Sequence, residues 1–271
     1  NSAMINGTRV MGPVLAALLG VAGLSIAGIL VVNAGTYMFF IIALLIVRMP
    51  DVRSGSTDRG FRALSTGLRI ARDRLVLNRL LIGMFLFSLF SLVCIGLFPS
   101  VARLNFGIDS AGSTYRWLYA VWGAGAFFGA IAVGTWFSNI DRKVLIVRGL
   151  IGFSISLALF SQLRGPEFAF PVGFVLGFCY FMTATAITTT LQLNMKNTER
   201  ATVMPLWFMV FGGTVPIGNL VFGVVIEWVG ARAVLGFGAA FALFLSWWLD
   251  LRRLPRSAFL PEADGGEPYT Q

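Results

Sequence analysis

Apolar runs of bilayer-spanning length recur along this chain, and they leave it few folds to adopt. A helix rises about 1.5 Å per residue, so a hydrocarbon core about 30 Å thick needs about 20 apolar residues. That ruler picks out about eight runs: Val10–Leu24, Ile26–Val47, Leu80–Val101, Tyr115–Phe137, Val144–Gln162, Phe168–Leu191, Val203–Trp228 and Ala233–Leu251. In hydrocarbon every backbone N–H and C=O must be satisfied within the segment, so each run is expected to be a helix. Only 12% of the residues are charged and mean hydropathy is +0.81, whereas a soluble domain carries roughly 25% charged residues. The expected fold class is an all-α membrane protein, a bundle of about eight transmembrane helices.

One connection is long. It carries Arg48, Arg53, Arg59, Arg62, Arg69, Arg72, Arg74 and Arg79. Within it Phe61, Leu64, Leu68, Ala71 and Leu75 recur at helical spacing, which reads as an amphipathic helix on an anionic leaflet or as a solvated linker. With this loop in the cytoplasm and the spans alternating, only Arg103, Arg116, Arg164 and Arg232 of the 21 Lys and Arg residues fall outside. The positive-inside rule selects that orientation, with the C-terminus cytoplasmic. The domain reading is 1–47 as two helices, 48–79 as the basic cytoplasmic loop, 80–251 as a six-helix bundle and 252–271 as a cytoplasmic tail. After Pro255 that tail is acidic with Gly and Pro, and is expected to be unstructured.

Several chemistries are poorly supplied. The chain has no His, and its two cysteines, Cys94 and Cys179, lie inside apolar runs without metal-ligand spacing. No metal and no cofactor are expected. The spans hold neither paired carboxylates nor a Ser or Cys beside a plausible base, which argues against a membrane-embedded enzyme. No nucleotide-binding loop is present. The net charge of +9 lies mostly between spans, where it reads as topology rather than nucleic-acid binding. The expected partners are the lipid bilayer and a small-molecule solute, with the chain a monomer.

Polar groups are costly inside a bilayer, so each is a candidate for a solute pathway. Thr185, Thr188 and Gln192 recur at i, i+3 and i+7 on one helical face, which lines a cavity or bonds its own carbonyls. Asn33, Tyr37, Ser88, Ser91 and Asn219 are further midspan candidates, for solute contact or interhelical packing. Arg9 ends the first run, placed to meet an anionic substrate or an acid elsewhere. Gly12-Pro13, Pro205 and Pro216 kink or hinge their spans, since proline lacks the backbone donor. Trp117, Trp122, Trp207, Trp247 and Trp248 fall largely near span ends, where an interfacial belt is the default. Gly123, Gly129 and Gly134 match Gly212, Gly218 and Gly223 in spacing, three spans apart. The match is an inverted-topology repeat or a coincidence among Gly-rich spans.

Four segments then fall in a meaningful order. Asn6-Gly-Thr-Arg9-Val-Met-Gly12-Pro13-Val-Leu-Ala16-Ala17 follows a Gly-Pro with two small residues. Gly134-Thr-Trp-Phe-Ser-Asn-Ile-Asp141-Arg142-Lys143 and Gly223-Val-Val-Ile-Glu227-Trp-Val-Gly230-Ala-Arg232 are two comparable turns. Thr190-Leu-Gln192 precedes Glu199-Arg200 and Val203-Met204. In this order they resemble the major facilitator superfamily, and within it the bacterial efflux branch of enterobactin-exporter-like and macrolide-efflux-like proteins. The first is similar to the antiporter motif of the superfamily's fifth helix, with Ala16 and Ala17 where glycines are usual. The second is similar to the loop between helices eight and nine, with Ser138 where an acid and Asp141 where a glycine is expected.

The resemblance covers essentially the whole chain. It implies a major-facilitator-type bundle of which this segment is helices five to twelve, with the first four absent. It implies a secondary transporter of the bacterial inner (plasma) membrane, exporting an amphipathic or hydrophobic drug, macrolide or siderophore by alternating access and coupled to protons. A lysophospholipid transporter and a non-transporting remnant or sensor are the alternatives. The coupling acids would lie in the absent helices. Gating roles fall on Gly12, Pro13, Gly134, Asp141, Arg142, Lys143, Gly223, Glu227, Gly230 and Arg232.

Overall fold

The computed structural model describes residues 26–46 and 61–260. The chain divides into two compact units, Asn1–Ser54 and Gly55–Gln271. The described part of the first is one helix, α1 (Ile26–Ile46), whose side chains from residue 31 to 46 are exposed. The second unit comprises α2 (Phe61–Asp73), α3 (Leu75–Leu86), α4 (Val93–Gly96), α5 (Phe98–Phe106), α6 (Ser113–Ala132), α7 (Arg142–Gln162), α8 (Ala169–Leu193), α9 (Asn197–Phe208), α10 (Thr214–Val229) and α11 (Ala231–Trp248). Among the described residues there is no strand, so the all-α membrane class holds.

Among the described residues four helical stretches are long and apolar enough to cross a bilayer: Arg142–Gln162, Ala169–Leu193, Thr198–Val229 and Ala231–Arg253. A pair bent by 113°, Leu64–Asp73 with Leu75–Ser91, makes a fifth if taken as one span. Of the other runs read from the sequence, Ile26–Val47 is matched by α1, Ile26–Ile46. Val10–Leu24 lies outside the described residues. The α6 helix has the length, 20 residues, but its first turns carry Ser113, Thr114, Arg116 and two tyrosines.

Leu80–Val101 is not one uninterrupted helix. After α3 comes a π turn, Phe87–Ser91, then the short α4, and α5 begins with Pro99 in its first turn. Proline has no N–H to give the preceding turn, so a new helix starts there. A second π turn, Met209–Gly213, separates α9 from α10 four residues after Pro205. The helix therefore runs through Pro205 and loosens one turn later.

The packing is governed by small residues. The α8 helix lies against both α6 and α7, and α7 lies against α11. A Cβ added at Gly125 or Gly129 would come within 2.0 Å of the Phe174 or Phe178 carbonyl oxygen, and one at Gly177 within 2.1 Å of the Trp122 oxygen. Backbone thus meets backbone between α6 and α8, as in small-xxx-small membrane pairs. Gly218 makes the same kind of approach to Leu89 O, at 2.7 Å. Of the glycines matched by spacing, Gly123 and Gly212 both face open space and Gly129 and Gly218 both face the backbone of another segment, but a Cβ at Gly134 would meet its own chain at Ile131 O and one at Gly223 the Leu97 side chain, each at 3.8 Å. Two neighbouring carbonyls of α11 accept from other helices: Gly238 O from Ser91 Oγ at 2.9 Å, and Ala239 O from Ser154 Oγ at 2.7 Å. Such interhelical bonds contribute about 0.6 kcal/mol each. Phe87, Phe98, Phe153 and Phe160 fill the space between, fully buried.

One end of this unit gathers Arg and Lys side chains and is tied together there. Arg74 pairs with Glu199 at 2.6 Å, and the same carboxylate accepts the Lys196 N–H at 2.9 Å, closing the first turn of α9. Arg79, read as part of the loop, lies within α3 and donates to Trp248 O, one of the free carbonyls at the end of α11. Residues 252–260, expected as part of an unstructured tail, are folded. Two 3-10 turns, Leu251–Arg253 and Arg256–Ala258, bring Phe259 into the core beneath Lys143, 3.9 Å from its ammonium. Leu260 N–H donates to Asn194 Oδ1 at 3.1 Å. Apolar Phe259 finds burial there, which composition averaged over the tail conceals. Residues 261–271 lie outside the described set.

Two predictions follow from this packing. Gly177→Ala should destabilise by about 1–3 kcal/mol through overpacking, while Gly236→Ala, with nothing within 4 Å, should be neutral or better; unfolding titrations in mixed micelles would compare them. Gly230 holds φ 83 and ψ 159 between α10 and α11, so Gly230→Ala should cost about 1–3 kcal/mol in the same titration.

Candidate solute site

The sequence candidates part company in the structure. Arg9, Gly12 and Pro13 lie outside the described residues. Asn33 and Tyr37 are exposed on α1, and Asn33 O accepts the Thr36 hydroxyl at 2.6 Å. Ser88 and Ser91 are buried at 0% and 1% exposure. Ser91 bonds α11 as above, and Ser88 Oγ approaches Phe211 O of the second π turn at 3.4 Å. Both serines therefore sit in helix contacts. Asn219, half-buried on α10, is packed into the notch at Gly96, where a Cβ would stand 1.7 Å from its Nδ2. Its Oδ1 is a buried acceptor without a hydrogen bond.

Thr185, Thr188 and Gln192 are half-exposed on α8. They share their face with three side chains that the sequence reading did not select. Phe174, Phe178, Phe181, Thr185, Thr188 and Gln192 recur at steps of four, three, four, three and four residues, one helical stripe. All six are half-exposed, whereas Leu176, Tyr180, Thr183, Ile187 and Thr190 on the other side of α8 are buried. One half of the stripe is aromatic and the other polar. Thr188 Oγ donates to Ala184 O at 2.7 Å, satisfying its proton and leaving its lone pairs to accept. The phenylalanines at this spacing were visible in the sequence, but among 25 Phe nothing there told them from lipid-facing ones.

A second feature could only be seen in three dimensions. Trp207 stacks on Phe211 at 5.8 Å, Phe211 on Tyr180 at 6.4 Å, and Tyr180 on Trp122 at 6.1 Å. Tyr119 and Tyr115 continue the line at 5.4 and 6.2 Å. Four helical segments, α9, the second π turn, α8 and α6, thus share one aromatic column beside the stripe. Trp122 and Trp207, expected in an interfacial belt, are instead buried at 7% and 3% because each is a member of this column. Trp117 and Trp247 are exposed.

The two turns carrying the motif residues have local structural roles. Asp141 caps α7, its Oδ1 accepting the Lys143 N–H at 2.9 Å, while Arg142 is exposed. Gly134 lies in the turn after α6, its N–H donating to Ile131 O at 3.0 Å. A Cβ added at Gly223 would stand 3.8 Å from Leu97 Cδ2, and Glu227 and Arg232 are exposed on either side of Gly230. No group of three or more His, Cys, Asp or Glu able to hold a metal occurs among the described residues.

No curated protein matches the chain. The family model described as transmembrane secretion effector, within the major facilitator group, matches residues 1–262. That match takes in the motif turns, the bundle and the stripe of α8. The chain belongs to this major facilitator family of membrane transporters.

Proposed function

We propose that the protein is a proton-coupled exporter of an amphipathic or hydrophobic small molecule, working by alternating access in the bacterial inner membrane. The observation that carries this reading is the stripe of α8, where three half-exposed phenylalanines run into Thr185, Thr188 and Gln192. A solute with an apolar body and a few hydrogen-bonding groups matches such a face, since a largely apolar wall with few polar groups binds and orients such a molecule. A macrolide or a siderophore has this character. The Arg/Lys-rich end, with Arg74, Lys143 and Arg252, is the cytoplasmic one by the positive-inside rule. Glu227 is the acid within the described α10, and its exposed position near a helix end favours proton coupling elsewhere in the protein. The two π turns supply the flexing points, because π turns recur where helices serve a function. The protein acts as a monomer in this reading.

Two experiments test it. Single cysteines at positions 181, 185, 188 and 192 should react with a water-soluble thiol reagent at least tenfold faster than cysteines at 88, 91 and 190. A water-exposed thiol ionises and a packed one does not, and the native Cys94 and Cys179 are buried. Equal rates at both sets would remove the solute pathway from α8. In cells expressing the complete coding region, efflux of a macrolide or siderophore should stop on adding a protonophore and fall several-fold in Thr188→Val/Gln192→Leu. Export of a lysophospholipid alone would reassign the solute, and no change in retention of any of the three would overturn the reading.

A further inference from the structure

We propose that α2 is a docking surface for anionic phospholipid headgroups, and that lipid bound there steadies the first turns of α9. The chain bends by 113° between α2 and α3, so α2 lies across the end of the span rather than along it. Leu68, Leu75 and Ile82, at seven-residue intervals, are exposed at 61%, 50% and 41%. On α2 the exposed Leu68 stands next to the exposed Arg69, with the exposed Arg72 one turn on.

The arginines at this corner are divided between two uses. Arg74 and Arg79 turn inward, to Glu199 and to Trp248 O. Arg69 and Arg72 turn outward, with only the exposed Asp73 as an acid beside them on α2. An apolar side chain between outward guanidiniums, at the level where a span meets water, suits the headgroup layer of an anionic leaflet. The other face of α2 is fastened to α9. A Cβ at Gly67 would stand 2.5 Å from Thr202 O, Ala71 is 3% exposed, and Arg74 holds the carboxylate that caps α9. What fixes α2 therefore fixes the start of α9, about three turns before the loosened segment Met209–Gly213.

Amide hydrogen exchange on the full-length protein in nanodiscs tests this without any substrate, so its outcome is independent of the exporter reading. In phosphatidylcholine mixed with phosphatidylglycerol, amides of residues 61–73 and 197–208 should exchange several-fold more slowly than in phosphatidylcholine alone. Salt should shrink that difference. Arg69→Gln/Arg72→Gln should abolish it, while Arg103→Gln/Arg232→Gln, a charge change of the same size elsewhere, should leave it. In Gly67→Leu the lipid effect should persist over 61–73 and vanish over 197–208. Equal exchange in the two lipids, or an effect that survives in Arg69→Gln/Arg72→Gln, overturns the lipid site. Protection of 197–208 that still follows lipid in Gly67→Leu overturns the coupling to α9.

Discussion

The contact between α6 and α8 is made by backbone, and much of the rest of the bundle depends on it. Gly125, Gly129 and Gly177 let the two helices approach until a single added methyl would strike a carbonyl. Lipid tails are as apolar as leucine, so no hydrophobic gain draws helices together inside a membrane; close contact and hydrogen bonds must do it. Once α8 is fixed against α6, its opposite side is free to pack on α7, and α7 carries α11 through the Ser154 bond. The approach of Gly218 to Leu89 repeats the arrangement between α10 and the first π turn.

The same close approach shapes the candidate solute face. A helix held by glycines brings few large side chains to its contact, so the neighbouring stripe of α8 stays half-open instead of being filled. Phe174 and Phe178 show this directly: their carbonyls receive Gly125 and Gly129 while their rings remain partly exposed. The aromatic column has a complementary part. Trp122 and Tyr180 bury the side of α6 and α8 that the glycines do not.

Much of this was legible in the amino-acid sequence, for a physical reason. A span must satisfy its backbone internally, so apolar length converts almost directly into helix, and Arg142–Gln162 and Ala169–Leu193 fall within a few residues of expectation. Thr185, Thr188 and Gln192 could be grouped because helical spacing is local. What stayed hidden depends on contacts far apart in the chain. Nothing local marks Phe87–Ser91 as a π turn, since its Ser88 and Ser91 find their partners at Phe211 and Gly238. Trp122 and Trp207 are interfacial by position along the helix and buried by virtue of their neighbours. Phe259 was hidden by the polar, acidic residues after it.

The basic residues carry two kinds of information at once. As a count they set orientation, because charge near a span end resists crossing. As individual side chains they divide. Arg79 satisfies the end of α11, where free carbonyls and the negative end of the helix dipole favour a cation. Arg74 secures the first turn of α9, and Lys143 covers Phe259. These ties join the ends of α3, α7, α8, α9 and α11 at one end of the unit. The π turns lie further along the helices, beyond the ties. The two π turns, Phe87–Ser91 and Met209–Gly213, meet each other there, Ser88 Oγ donating to Phe211 O, so the irregular stretches of two helices are held side by side.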